Sequence, residues 1–78
     1  MDWKNVKVPA GGKLMQVRNF TYMHKGATYL IEVDEYVTGN CSAHAEHSVD
    51  KNFVIETVSG KTIPECLNLI LEKIHTRS

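Results

Sequence analysis

The 78 residues carry nine basic and nine acidic side chains and four histidines, so the formal charge is zero with histidine neutral. A chain this short is one domain that removes only about 60% of its unfolded surface from water, enough for one small core. Hydrophobic residues at 42% and charged residues at 23% argue against a disordered chain and a membrane span, and no window approaches the ~18 apolar residues of a spanning helix. The neutral total speaks against binding nucleic acid or anionic lipid with the whole surface.

In residues 1–8, Asp2, Lys4 and Lys7 interleave with Trp3, Val6 and Val8, so no basic segment leads into an apolar run of the kind an export signal needs. The expectation is a cytoplasmic chain. Residues 1–12 read as an N-terminal arm, or as a short edge strand over residues 3–8 followed by the loop Pro9-Ala10-Gly11-Gly12. Residues 13–58 read as a β-meander. Its first strand lies around residues 14–23, and Gly26 marks the turn that follows. Tyr29, Ile31 and Val33 alternate with Leu30, Glu32 and Asp34 in a second strand, and Cys41, Ala43 and Ala45 alternate with Ser42, His44 and Glu46 in a third. The β-branched run at residues 53–58 supplies a fourth.

Parity constrains the pairing. For Tyr29, Ile31 and Val33 to share a face with Cys41, Ala43 and Ala45, the loop between them must be of odd length. A three-residue loop Thr38-Gly39-Asn40 predicts Val33 opposite Ala45, Asp34 opposite His44 and Glu32 opposite Glu46. The first hairpin has two solutions. A Lys25-Gly26 turn places Phe20 and Tyr22 beside Ile31 and Tyr29, whereas a three-residue His24-Lys25-Gly26 loop pairs Phe20 with Leu30.

The C-terminal segment carries the strongest pattern. Ile63, Cys66, Leu67, Ile70, Leu71 and Ile74 follow the spacing of a helix with one buried face. Thr62 and Glu65 form a T-x-x-E capping box, Pro64 sits in the first turn, and Lys73, His75 and Arg77 complement the macrodipole at the far end. The spacing predicts a helix over 62–75 counted from its cap. The fold class is therefore α+β: an antiparallel four-stranded meander, five-stranded if residues 3–8 pair, with one C-terminal helix packed on one face. The small row Cys41, Ala43 and Ala45 marks where helix and sheet lie closest.

One helix covers one face, yet both faces of the first two strands carry apolar side chains. Phe20, Tyr22, Leu30 and Tyr36 are accordingly the candidate contacts of a homo-oligomer, a dimer first of all. The charges divide as well. Residues 1–26 hold five basic side chains against Asp2 and residues 27–60 hold six acidic ones against Lys51. The basic first third should contact the acidic strands of its own or a neighbouring copy, and an association built on that contact should weaken as salt rises.

No motif is specific for catalysis, so no catalytic residue, metal or cofactor is expected. Cys41-x-x-His44-x-x-His47 has the composition of a metal site, but on a strand His44 points away from the other two, which lie roughly 20 Å apart. Cys41 and Cys66 read as reduced core residues. Ser59-Gly60-Lys61-Thr62 lacks the first glycine of a nucleotide-binding loop, and Lys61 and Thr62 remain as candidate anion ligands at a helix start. Glu32, Asp34, His44 and Glu46 share the face turned away from the core and are the candidate ligand-binding residues.

The segment Gly60-Lys61-Thr62-Ile63-Pro64-Glu65-Cys66-Leu67 following a strand resembles the strand-to-helix junction of HicB-type antitoxin domains, which carry a similar G-x-T-x-x-E segment. The resemblance covers about a tenth of the chain, and the long second hairpin departs from that family's pattern. It implies an antitoxin-like regulator, and a basic surface in the first third of the chain adds a nucleic-acid-associated regulator as a further alternative. The residues themselves point first to a small non-catalytic interaction or regulatory module acting as a homo-oligomer with an unnamed protein partner. A ligand or weak enzymatic site formed at an oligomer interface around Glu32, His44 and Glu46 stands second.

Overall fold

The computed structural model describes residues 3–77. After a single 3-10 turn at Trp3–Asn5, the chain forms β1 (Met15–His24), β2 (Ala27–Tyr36), β3 (Cys41–His47), β4 (Val54–Gly60) and α1 (Ile63–Arg77). The strands pair antiparallel in the order β1-β2-β3-β4 and the helix packs across one face, so the fold is the expected α+β meander. The fifth strand does not form among the described residues. Trp3–Asn5 coils instead, with Val6 N–H donating to Trp3 O, and the segment is tied to the sheet by Lys4, whose Nζ lies 2.8 Å from Glu35 Oε2. No helix is long and apolar enough to cross a membrane among the described residues.

The first hairpin takes the two-residue solution. Lys25 (φ 50°) and Gly26 (φ 79°) both adopt left-handed backbone, the signature of a type I′ turn, and set Phe20 opposite Ile31 and Tyr22 opposite Tyr29. The second hairpin has the predicted odd loop but not the predicted register. Tyr36 N–H donates to Asn40 O and Gly39 N–H to Tyr36 O, so the loop is Val37-Thr38-Gly39, with Gly39 at φ 102°. The reason is local. The third residue of such a loop takes left-handed backbone, and glycine does so at the least cost. The pairing therefore slides by two residues: Val33 faces Ala43, Ile31 faces Ala45, and Glu32 faces His44 rather than Glu46. A slide of two preserves parity, so the core row is unchanged. Between β3 and β4 a bulge places both Glu56 and Thr57 against His44.

The core is the row Tyr29, Ile31, Val33, the small row Cys41, Ala43, Ala45, then Ile55 and Val58, closed from above by Cys66, Ile70 and Ile74. Small side chains in the centre let α1 approach closely. At the helix start the approach is tightest: a Cβ on Gly60 would lie 3.1 Å from Cys66 Sγ and 3.2 Å from Glu65. Glu65 N–H donates to Thr62 Oγ1 at 3.2 Å as the capping box requires, but the Glu65 carboxylate accepts from Lys61 N–H at 3.3 Å, one residue ahead of the box position. Burial pushes both the Cys41 and Cys66 thiols up, with help from Glu35 at Cys41 and from Cys41 at Cys66, so both stay protonated as core groups near neutral pH.

The helix lies over β2, β3 and β4 and reaches β1 through His75. Its ring stacks on His24 with centroids 4.0 Å apart, and its Nε2 shares a hydrogen bond with Tyr22 Oη. Burial against these rings, then the neighbouring His75 and Lys25, lower the pKa of His24 below 6.5. The folded chain thus binds fewer protons at His24 than the unfolded one. The stability linked to this group is intact above the unfolded value and is lost as pH falls through the lowered one.

Gly60→Ala should lower unfolding stability by about 1–3 kcal/mol in urea denaturation, whereas Lys25→Asn, which suits left-handed backbone, should raise it by up to about 1 kcal/mol. On acidification from about pH 7 to about pH 5 the melting temperature should fall, and His24→Gln should flatten that fall.

Candidate functional site

Alternation along β2 and β3 sends every second side chain to the face opposite α1. That face carries Glu32 and Asp34 from β2, His44 and Glu46 from β3, and Asn19 and Thr21 from β1. Nothing among the described residues packs across it as α1 packs across the other. Its apolar members lie towards the margins: Met15, Val17 and Met23 on β1, Leu30 on β2 and Val54 on β4, all exposed, with Met23 open to 75%.

The register places the polar members. His44 is directly opposite Glu32, with Nε2 3.9 Å from Oε2, and Asp34 follows Glu32 by two residues on the same face. One ligating atom from each of Glu32, Asp34 and His44 lies within 4.8 Å of the others. Glu32 and Asp34 are half-buried and His44 is exposed. Asp34 Oδ1 is closed off from solvent and has no hydrogen-bond partner, a costly state for a carboxylate oxygen. Glu46 stands apart from this trio, opposite Leu30, where it borders a depression of about 340 Å³ with Asn19, Thr21, Glu32 and His44. The sequence placed these four residues on one face, but the two-residue slide replaces the expected Glu32–Glu46 pair with Glu32 opposite His44.

Other candidates are dispersed. Cys41 is buried beneath the helix while His44 points to the opposite face. The Nδ1 of His47 accepts hydrogen bonds from Val49 and Asp50 N–H, which closes the turn into β4. At the helix start the Lys61 N–H donates to the chain's own Glu65 carboxylate, while Thr62 Oγ1 accepts from the Glu65 N–H, so both are engaged by Glu65 rather than open to an anion. Phe20 and Tyr22 lie on the helix side of β1, whereas Leu30 and Tyr36 lie on the open face, Tyr36 with its Oη 3.3 Å from Ser42 Oγ. The four do not form one patch.

Comparison with family models, curated proteins and solved structures finds no match to this chain. The likeness of residues 60–67 to HicB-type junctions thus stays confined to a strand end, a cap and the first turn of α1.

Val17 and Leu30, exposed on this face, add little by burial, so Leu30→Thr should leave the melting temperature within about 2–4 °C of the parent, while Ile31→Ala, one residue along and buried, should cost about 2–5 kcal/mol.

Proposed function

We propose that the protein is a small non-catalytic interaction module that works as a homodimer joined along β1. The observation that carries this reading is the state of that strand. β1 is a ten-residue edge with eight residues exposed and Arg18 as its one Lys, Arg, Asp or Glu side chain. The type I′ turn fixes which backbone groups are spent: even-numbered residues bond to β2, and Met15, Val17, Asn19, Thr21 and Met23 turn N–H and C=O outward. The opposite edge is guarded. β4 is shorter and bulged, and Arg77 donates to Val54 O across its end.

A second copy of β1 complements this edge. Antiparallel pairing about a two-fold axis at Phe20 sets Phe20 against the partner's Phe20, Arg18 against the partner's Tyr22 and Val17 against the partner's Met23. It leaves no like charges opposite each other, whereas centring the axis on Arg18 would. Phe20 is 37% exposed because α1 does not extend over it, and the pairing buries it. The charge asymmetry is met partly inside one chain, since Lys4 and Arg18 both approach Glu35. Edge pairing rather than charge then supports the association.

Sedimentation equilibrium at micromolar concentration should give a dimer that persists as salt is raised. Phe20→Glu should convert it to a monomer that still unfolds cooperatively, with a melting temperature lower only by the stabilisation that dimerisation supplied. Phe20→Cys should cross-link under mild oxidation, because a non-hydrogen-bonded antiparallel pair brings Cα atoms to about 4.5 Å, within disulfide range. A monomeric parent protein, or a dimer indifferent to Phe20→Glu, overturns the reading.

A further inference from the structure

We infer that Glu32, Asp34 and His44 form a binding site for a divalent transition ion, with zinc the best-suited probe. Three observations converge on it. The side chains supply one imidazole and two carboxylates, a donor set that suits zinc with the remaining position left to water. They come from directly paired and next-but-one positions of two adjacent strands, so the backbone beneath them is rigid and their ligating atoms already lie within 4.8 Å of one another. Ligands about 2.0–2.2 Å from a common centre stand roughly 3.0–3.6 Å apart, a closing movement within the reach of side-chain rotation.

The third observation concerns Asp34 alone. Its Oδ1 is shut away from water without a hydrogen-bond partner, although Ser42 is directly opposite, with Oγ 3.3 Å from Tyr36 Oη. A carboxylate held this way lacks the compensation that a buried polar atom normally has, and a cation beside it supplies that compensation. Glu32 and His44 then carry a second role: they bring the other two donors to the side of the sheet where Asp34 is under-satisfied. The ligands must be deprotonated to bind, so affinity falls on acidification.

The experiment is a zinc titration of the full chain, followed by thermal melting and by the NMR signals of the four imidazoles. One zinc should bind per chain, the melting temperature should rise with zinc concentration, and the His44 signals should move while those of His24, His47 and His75 hold their positions. Asp34→Asn and His44→Ala should each weaken zinc binding at least tenfold. The metal-free melting temperature of Asp34→Asn should not fall, because a merely structural Asp34 would lose stability on substitution, whereas an under-satisfied one does not. If the parent protein shows no zinc-dependent shift in melting, or if binding survives in both variants, or if the signals that move belong to other histidines, the site is not there. The NMR assignment is made on the unsubstituted chain and decides the matter even if a variant fails to fold.

Discussion

One helix has to cover a sheet of four strands, and it cannot. Fifteen residues of α-helix are about 22 Å long and about 10 Å across, whereas the outermost of four strands lie roughly 14 Å apart before side chains are added. The chain meets this constraint by spending its small residues where helix and sheet are closest. Cys41, Ala43 and Ala45 lie under Cys66, Ile70 and Ile74, and Gly60 leaves room for the first helical turn. The helix thereby sits over β2, β3 and β4. The remaining strand, β1, is held by β2 along one side, by Tyr22 packing against the core, and by His75 meeting Tyr22 and His24. An open face, an open edge and an exposed Phe20 all descend from this shortage of cover.

Much of this is legible in the sequence because periodicity records burial. The spacing Ile63, Cys66, Leu67, Ile70, Leu71, Ile74 locates α1, and the alternation in β2 and β3 is enough to assign the core row. Periodicity is blind to shifts that preserve it. A slide of two along β3 leaves every core residue in the core, so only turn chemistry could choose the register, and the deciding fact is that Gly39 rather than Asn40 takes the left-handed loop position. Trp3–Asn5 is ambiguous for a different reason. Alternating charged and apolar residues over so short a stretch suit an edge strand or a turn equally, and the coiled segment meets the sheet through the ion pair of Lys4 with Glu35.

The candidate site is legible as a set of residues and illegible as a geometry. Sequence parity puts Glu32, Asp34, His44 and Glu46 on one face, but whether two carboxylates or a carboxylate and an imidazole oppose each other depends on the register alone. The first arrangement would be a repulsion that raises a carboxylate pKa, and the second is a donor set. The unpartnered Asp34 Oδ1 has no signal in the sequence, because hydrogen-bond satisfaction depends on which rotamers the neighbours Tyr36 and Ser42 adopt.

Edge pairing and ion binding make different demands on the same sheet, and the geometry keeps them apart. A two-fold axis at Phe20 would continue the sheet through β1 and its partner, so the face carrying Glu32 and His44 would stay open in the dimer. Glu32 lies one strand in from the edge, beside Asn19. Between Glu32 and its symmetry mate there would be three strand spacings, about 14 Å. That is far beyond what one ion bridges at coordination distances of about 2 Å. Each chain would therefore hold its ion independently, without cooperativity arising from a shared ligand. Loss of dimerisation through Phe20→Glu would leave zinc binding in place, and loss of zinc binding through His44→Ala would leave the dimer, so each property can be removed while the other is measured.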